Sequence, residues 1–366
     1  MAPTARARCL AILVLAAWLT GDHGRALPDQ RQPVRDAARA TIESFVAPVA
    51  PLEQRMLTDA ADGRLDDFTL LESALIAGGA EDRGTLQRYR TRVAALVAEL
   101  RECDGVEAAP RRRAEAVFEF MHGRVLHGGY DRDATDLRIT LDKGRFNCVS
   151  ATLVFALLAR QVGLSAAAVE IPGHALGRVA LDEGHLDVET TCPGWFRLID
   201  DPRRQAQLVA RTEGTRPEAD RTLAREVTDV ELLAMIYYNR GVELLAQEQF
   251  SQAAAANAKA LRLDADNATA RGNLLATINN WAISLSEGGH HQAAAELLWR
   301  GLELDPDYSP FVANAIHVHH RWTAVLRAAG DRAEAEKVLD RAARRLPDEA
   351  YFREAVAKIS IEGVTP

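Results

Sequence analysis

Cys148, His174 and Glu189 are the residues of this 366-residue sequence whose types and order suit covalent chemistry. Cys148 begins a run in which Val149, Leu153, Val154, Leu157, Leu158 and Val162 recur at helical spacing, and Gly163 follows as a stop. A thiol is an effective nucleophile as its thiolate, and the unpaired N–H groups and positive dipole end of a helix's first turn lower its pKa. His174, after Pro172-Gly173, would hold that thiolate in an ion pair and then protonate a leaving group. An acid would orient the imidazole. The backbone N–H of Cys148 is a candidate oxyanion donor.

Two acids compete for the third role, because Asp187 and Glu189 alternate onto the same strand face. With a hairpin loop over Ala180 to Glu183, Val179 pairs with Gly184; His174 then lies opposite Glu189, and Asp187 opposite Leu176. A loop centred on Asp182-Glu183-Gly184 would turn Glu189 away from the histidine. The first count favours Glu189. Each residue alone also has an ordinary reading: Cys148 as a small core residue, His174 as a turn histidine, Glu189 as a solvated strand residue.

The elements that must hold these groups follow from the pattern on either side. Helical spacing of Leu71, Leu75 and Ile76, then of Val93, Leu96, Val97 and Leu100, broken at Gly78-Gly79, predicts a helical N-terminal region over 27–110. A helix from about Arg112 to Leu126 precedes polar, turn-rich residues that run to Gly144. Strands are expected at Ala166 to Ile171, Ala175 to about Val179 and His185 to Thr191. A helix followed by strands predicts an α+β domain over 111–205, and a polar stretch over 206–230 reads as a linker.

Residues 231–366 repeat with a 41-residue period that aligns Leu244, Leu285 and Leu326; Ala253, Ala294 and Ala335; and Ala260, Gly301 and Ala342. Small residues seven apart let helices approach closely, which predicts an all-α array whose concave face takes a protein or peptide partner. The Leu-Asp-Pro-Asp end at 304–307 and Gly241 resemble the tetratricopeptide repeat, although Ala282 and Thr323 stand where later units would carry that glycine. The longer period leaves a HEAT-type solenoid open.

The segment from Gly144 through Cys148 to Leu164 resembles the nucleophile segment of the transglutaminase-like superfamily, Pro172-Gly173-His174 its histidine, and Leu186 to Thr191 its acidic segment. The resemblance spans about residues 111–200. It implies a papain-like α+β domain with a Cys148-His174-Glu189 triad that acts on an amide of a protein or peptide through an acyl-enzyme, by hydrolysis or acyl transfer, and it calls for no cofactor. The family position is most often Asp in an Asp-Pro-Thr context, where this chain has Glu189. The contrary expectation is a non-catalytic repeat scaffold of the cell envelope.

Composition narrows the remaining classes. A net charge of −8 argues against a nucleic-acid partner. Four lysines among 44 basic residues point to a GC-rich, bacterial genome. Arg6 and Arg8 ahead of an apolar run from Cys9 to Thr20, with Gly24 and Ala26 before a cleavage point, read as a signal peptide over 1–26. Twelve helical residues reach about 18 Å, short of a hydrocarbon core of about 30 Å, so the expected product is exported, periplasmic or extracellular, with no stable membrane span. Of the three cysteines left, Cys103 with Cys192 is the favoured pair if one forms, and three reduced, buried cysteines are the alternative. His290, His291, His317, His319 and His320 lack a Cys or carboxylate framework for a metal, and Asp136 stands where a calcium loop beginning at Asp131 would need Gly. His122 and His127 have no assigned role.

Overall fold

Side-chain caps set many of the helix starts. Thr69, Asp82, Asp136, Asn147, Thr228 and Asn267 each accept from a backbone N–H in the first turn that follows. The computed structural model describes residues 38–46, 49–198, 201, 203–204, 207 and 224–362. Among the described residues six helices precede the one that Cys148 opens: α1 (38–46), α2 (Pro51–Asp59), α3 (Leu70–Ala77), α4 (Arg83–Arg101), α5 (Pro110–Arg124) and α6 (Leu137–Lys143). The helix α7 (Cys148–Gln161) follows, then β1 (Ala166–Ile171), β2 (His174–Ala180) and β3 (His185–Val188). After β4 (Arg225–Val227) come α8 (Asp229–Ala246), α9 (Phe250–Leu263), α10 (Ala268–Glu287), α11 (His291–Leu304), α12 (Ser309–Ala328), α13 (Arg332–Arg345) and α14 (Ala350–Glu362).

The fold class differs from the α+β, papain-like expectation. Helices make up 67% of the structure, fourteen of them among the described residues, against one small four-stranded antiparallel sheet. The chain is mostly helical. Its sheet runs β3-β2-β1-β4, with strands of four, seven, six and three residues, and helices rather than further strands complete the core around it. Apolar residues from α1 through α12 belong to one continuous buried cluster.

Two local expectations also change. The turn-rich stretch before Gly144 contains α6, capped by Asp136 and anchored by Leu137 and Leu141, which face inward one helical turn apart. The third strand stops at Val188 instead of running to Thr191, because Thr191 turns its N–H and hydroxyl onto the Glu189 carboxylate rather than onto a neighbouring strand. Within the stretch read as a linker, residues 225–227 form β4 and pair with β1. The leader over 1–26 and most of that linker lie outside the described residues.

The repeat period is visible in the helix starts. The second helix of each unit begins at 250, 291 and 332, and the first helix of the next at 268, 309 and 350. Ala253, Ala294 and Ala335 are all buried at the crossings, and Gly301 lies against the Phe311 ring, where a Cβ would come within 2.6 Å. The first helix of the array is shared with the rest of the molecule: Tyr237 of α8 donates to Glu53 of α2 at 2.7 Å, and Lys259 of α9 reaches the same carboxylate at 2.8 Å. Among the described residues no helix is long and apolar enough to cross a membrane.

The sheet meets α7 at Gly177, where an added Cβ would stand 2.6 Å from the fully buried Phe155 ring. Gly177→Val is therefore expected to lower stability by about 2 kcal/mol through overpacking. Urea unfolding checks this, and an unchanged midpoint would show that the sheet and helix are not in close contact there.

Candidate active site

A loop clamp sets where Cys148 begins its helix. Gly128 donates to the Gly144 carbonyl at 2.9 Å, Phe146 to Gly129 at 3.2 Å and Asp131 to Phe146 at 2.8 Å, so residues 128–131 run beside 144–146 as a short two-stranded splint. Gly144 takes φ +71°, a left-handed conformation that favours glycine. Asn147 then closes the helix with a reciprocal cap: its Oδ1 accepts from the Ser150 N–H, and its own N–H donates to Ser150 Oγ, each at 3.0 Å. The Asn147 amide also donates to Thr135 Oγ1 at 2.7 Å. Cys148 is thereby the first residue of α7.

His174 opens β2 after a tight turn in which Gly173 takes φ +75°. Its Nε2 lies 2.7 Å from Glu189 Oε2, and the ring is also hydrogen-bonded to Cys148. With Nε2 committed to the carboxylate, Nδ1 is the nitrogen left for the thiol. The other oxygen of Glu189, Oε1, accepts from Thr191 Oγ1 at 2.8 Å and from the Thr191 N–H at 3.3 Å. All three groups are nearly enclosed: Cys148 is 7% exposed, His174 4% and Glu189 3%. The three residues singled out in the sequence meet at one point in space.

The hairpin register that joins them differs from the sequence count. Val179 pairs with Leu186 rather than Gly184, and the loop covers Leu181 to Gly184, closed by the Leu181 N–H on the Gly184 carbonyl at 3.1 Å. This is a slip of two residues, and a slip of two preserves the alternation of faces. Asp187 consequently sits opposite Arg178 instead of Leu176 and pairs with it, its Oδ1 2.6 Å from Arg178 Nε. Glu189 lies just past the end of the ladder, where the 189–192 turn aims it at the histidine.

Burial by itself would strip His174 of its proton, but the Glu189 charge and the hydrogen bonds to Cys148 and Glu189 overcome it and push its pKa up to about 10. Burial likewise resists a charged Glu189, and the His174 charge together with the Thr191 donors holds its pKa below the ordinary value. Glu189, His174 and Cys148 are thus bonded in series, carboxylate to imidazole to thiol, the order of groups that a Cys-His-acid site for acyl transfer would need.

Other sequence candidates stay apart from this point. No disulfide joins Cys103 and Cys192: Cys103 packs at the end of α4 with its Sγ 3.6 Å from the Glu99 carbonyl, and Cys192 is buried beside Thr191. The favoured pairing is not formed. His319 is buried among Trp299, Trp322 and Phe352 and lies 2.7 Å from the Ala315 carbonyl, so it serves packing. No group of three or more His, Cys, Asp or Glu side chains is arranged to hold a metal ion among the described residues.

Two neighbours of the site escaped sequence reasoning. Tyr238, in a helix that reads as part of the repeats, feels the charge of Cys148 and donates to Glu170 at 3.1 Å; burial pushes its pKa well above the usual value. His122 packs on Phe118 and lies near Phe146, reaching the Thr190 carbonyl beside Glu189. Its spacing of four from Phe118 on α5 was the available signal. Comparison of the chain with protein-family models, curated proteins and solved structures finds no match.

The two shifts give signed predictions. A raised histidine contributes stability that is whole below 6.5 and disappears as pH rises through about 10. A depressed glutamate contributes stability that is whole above 4.5 and is lost as pH falls through its folded value. Glu189→Gln should thus be most destabilising between pH 4.5 and 6.5 and progressively less so toward pH 10. The same change should lower the His174 midpoint by about two pH units, because one of the nearby charges that opposes burial is gone. Histidine NMR titration reads the second effect, and Asp187→Asn is expected to leave that midpoint in place.

Proposed function

We propose that this chain is a thiol enzyme that cleaves or transfers an acyl group at an amide of a protein or peptide, with Cys148 as nucleophile, His174 as proton carrier and Glu189 as the residue that orients and charges the imidazole. The observation that carries the reading is one histidine bonded at once to the cysteine that opens α7 and to a buried carboxylate. The likeness of the Cys148, His174 and Glu189 segments to the transglutaminase-like superfamily supports it, at the level of those segments and their order.

In such a reaction the Cys148 sulfur attacks the amide carbonyl carbon, a C–S bond forms, and the carbonyl electron pair moves to oxygen. The first turn of α7 directs its N–H groups and dipole toward that developing charge. The His174 imidazolium then gives its Nδ1 proton to the departing nitrogen as the C–N bond breaks, which leaves a thioester on Cys148 and a neutral imidazole. Water or an amine attacks the thioester while His174 takes up its proton, and the thiolate–imidazolium pair is restored. Glu189 keeps its charge throughout and stabilises the imidazolium.

The array that begins at α8 fits the recruiting part of this reading, since stacked helix pairs offer an extended concave surface to a protein or peptide. Export belongs to the same proposal, on the strength of the leader-like residues 1–26.

Cys148→Ala tests the assignment with little structural disturbance, because alanine is a strong helix former and removes one sulfur from the first turn. Labelling of the wild type by iodoacetamide near neutral pH is expected at Cys148 well ahead of Cys103 and Cys192. The variant should lose that labelling and all activity on peptide libraries while keeping its thermal midpoint within a few degrees. A Cys148 no faster than the other two cysteines would favour the non-catalytic scaffold instead.

A further inference from the structure

His122 contributes nothing to the three-residue relay, yet it is tied to it by one peptide group. Its Nε2 lies 3.1 Å from the Thr190 carbonyl oxygen. A carbonyl only accepts, so Nε2 carries the hydrogen and Nδ1 holds a bare lone pair, which fits its burial without a donor. The other end of the same peptide, the Thr191 N–H, donates to Glu189 Oε1 at 3.3 Å. Glu189 Oε2 meets His174 Nε2 at 2.7 Å, and the same ring bonds Cys148.

We infer that His122 is a positioning residue which, through the Thr190–Thr191 peptide, holds and polarises the N–H that fixes Glu189 against His174. A donor on a peptide oxygen draws charge toward that oxygen and makes the N–H of the same unit a better donor, as successive members of a hydrogen-bond chain strengthen one another in a low-dielectric interior. The same contact pins the plane of a peptide that lies beyond the last strand pairing and has no ladder to hold it. Contacts with the Phe118 ring, centroids 4.5 Å apart, and with Phe146 at 6.1 Å keep the His122 imidazole in place. Burial draws its pKa down to about 4, only partly offset by the Thr190 carbonyl, so it stays neutral and keeps one fixed tautomer at neutral pH.

The inference rests on the acyl-transfer reading for its purpose, but its readout does not need turnover. The charged groups that face His174 are Glu189 from the turn after β3 and Cys148 from α7, while the Tyr238 hydroxyl of α8 lies within the field of Cys148. His122→Phe keeps a ring between Phe118 and Phe146 and removes the donor; His122→Gln places an amide N–H near the position of Nε2. In the full chain with labelled histidine, NMR titration is expected to show the His174 midpoint about one pH unit lower in His122→Phe and close to wild type in His122→Gln. An unchanged midpoint in His122→Phe overturns the inference. So does an Nδ1–H tautomer of His122 in the wild type, read from its nitrogen shifts, a measurement that stands even if the Phe variant does not fold. If the midpoint shifts appear while wild-type Cys148 resists iodoacetamide, the acyl-transfer reading fails and the positioning role of His122 holds.

Discussion

The His174–Glu189 pair is the interaction on which the site depends, since neither group would keep its charge in that position alone. A carboxylate taken out of water protonates and an imidazolium loses its proton, unless each finds the other at bonding distance with its remaining valences met. Here the 2.7 Å contact provides the partner, and Thr191 meets the second carboxylate oxygen twice. Such a pair is weak evidence for global stability. Its effect is to define one geometry for the histidine, and therefore one nitrogen for the sulfur.

That geometry requires three pieces of backbone that are remote in the chain. The splint of 128–131 against 144–146 starts the helix at Asn147, the Gly173 turn places the histidine at the head of its strand, and the 189–192 turn ends the next strand early so that Glu189 can reach inward. None of the three is a long regular element. Helix α7 and the sheet between them act as a spacer, and their close approach at Gly177 and Phe155 sets its thickness.

The sheet is joined to the repeats by a second polar cluster. Glu170 of β1 accepts from Arg225 of β4 at 2.6 Å, from Tyr238 of α8 at 3.1 Å and from Asn267, the cap of α10, at 3.3 Å. Arg225 bonds Asp264 and, at 2.8 Å, Glu231 as well. One arginine thus gathers three carboxylates at the seam where the sheet's edge strand leads into the array. Tyr238 bonds Glu170 from α8, the helix that also packs on α7, so this seam adjoins the helix that Cys148 opens. The helices of the array through α12 share one buried apolar core with the elements that hold Cys148, His174 and Glu189.

Much of the local structure was legible in the amino-acid sequence because its causes are local. The apolar spacing after Cys148 and the glycine at 163 mark α7; Pro172-Gly173 marks the turn before His174; and the 41-residue period marks helix starts that recur at 250, 291 and 332. These signals act over a few residues or repeat themselves. The sequence also narrowed the acid to two residues through alternation alone. It did not disclose that helices outweigh the small sheet, because three short strands read like the start of a larger one until the covering elements are known, and the fourth lay in a stretch that read as a linker. Nor did it disclose the hairpin register, since loops over Ala180 to Glu183 and over Leu181 to Gly184 differ by one residue in sequence yet move every cross-strand partner by two. Arg178 took Asp187 and left Glu189 to the histidine, a choice made by strand pairing. The roles of His122 and Tyr238 were not legible for the same reason: the spacing of His122 from Phe118 marks a helix face, but only packing brings it to the Thr190 carbonyl beside Glu189 and sets Tyr238 on Glu170. Propensity, capping and turn chemistry belong to neighbours in sequence, whereas register, burial and the charge of a buried pair are set by residues that become neighbours only once the chain has folded.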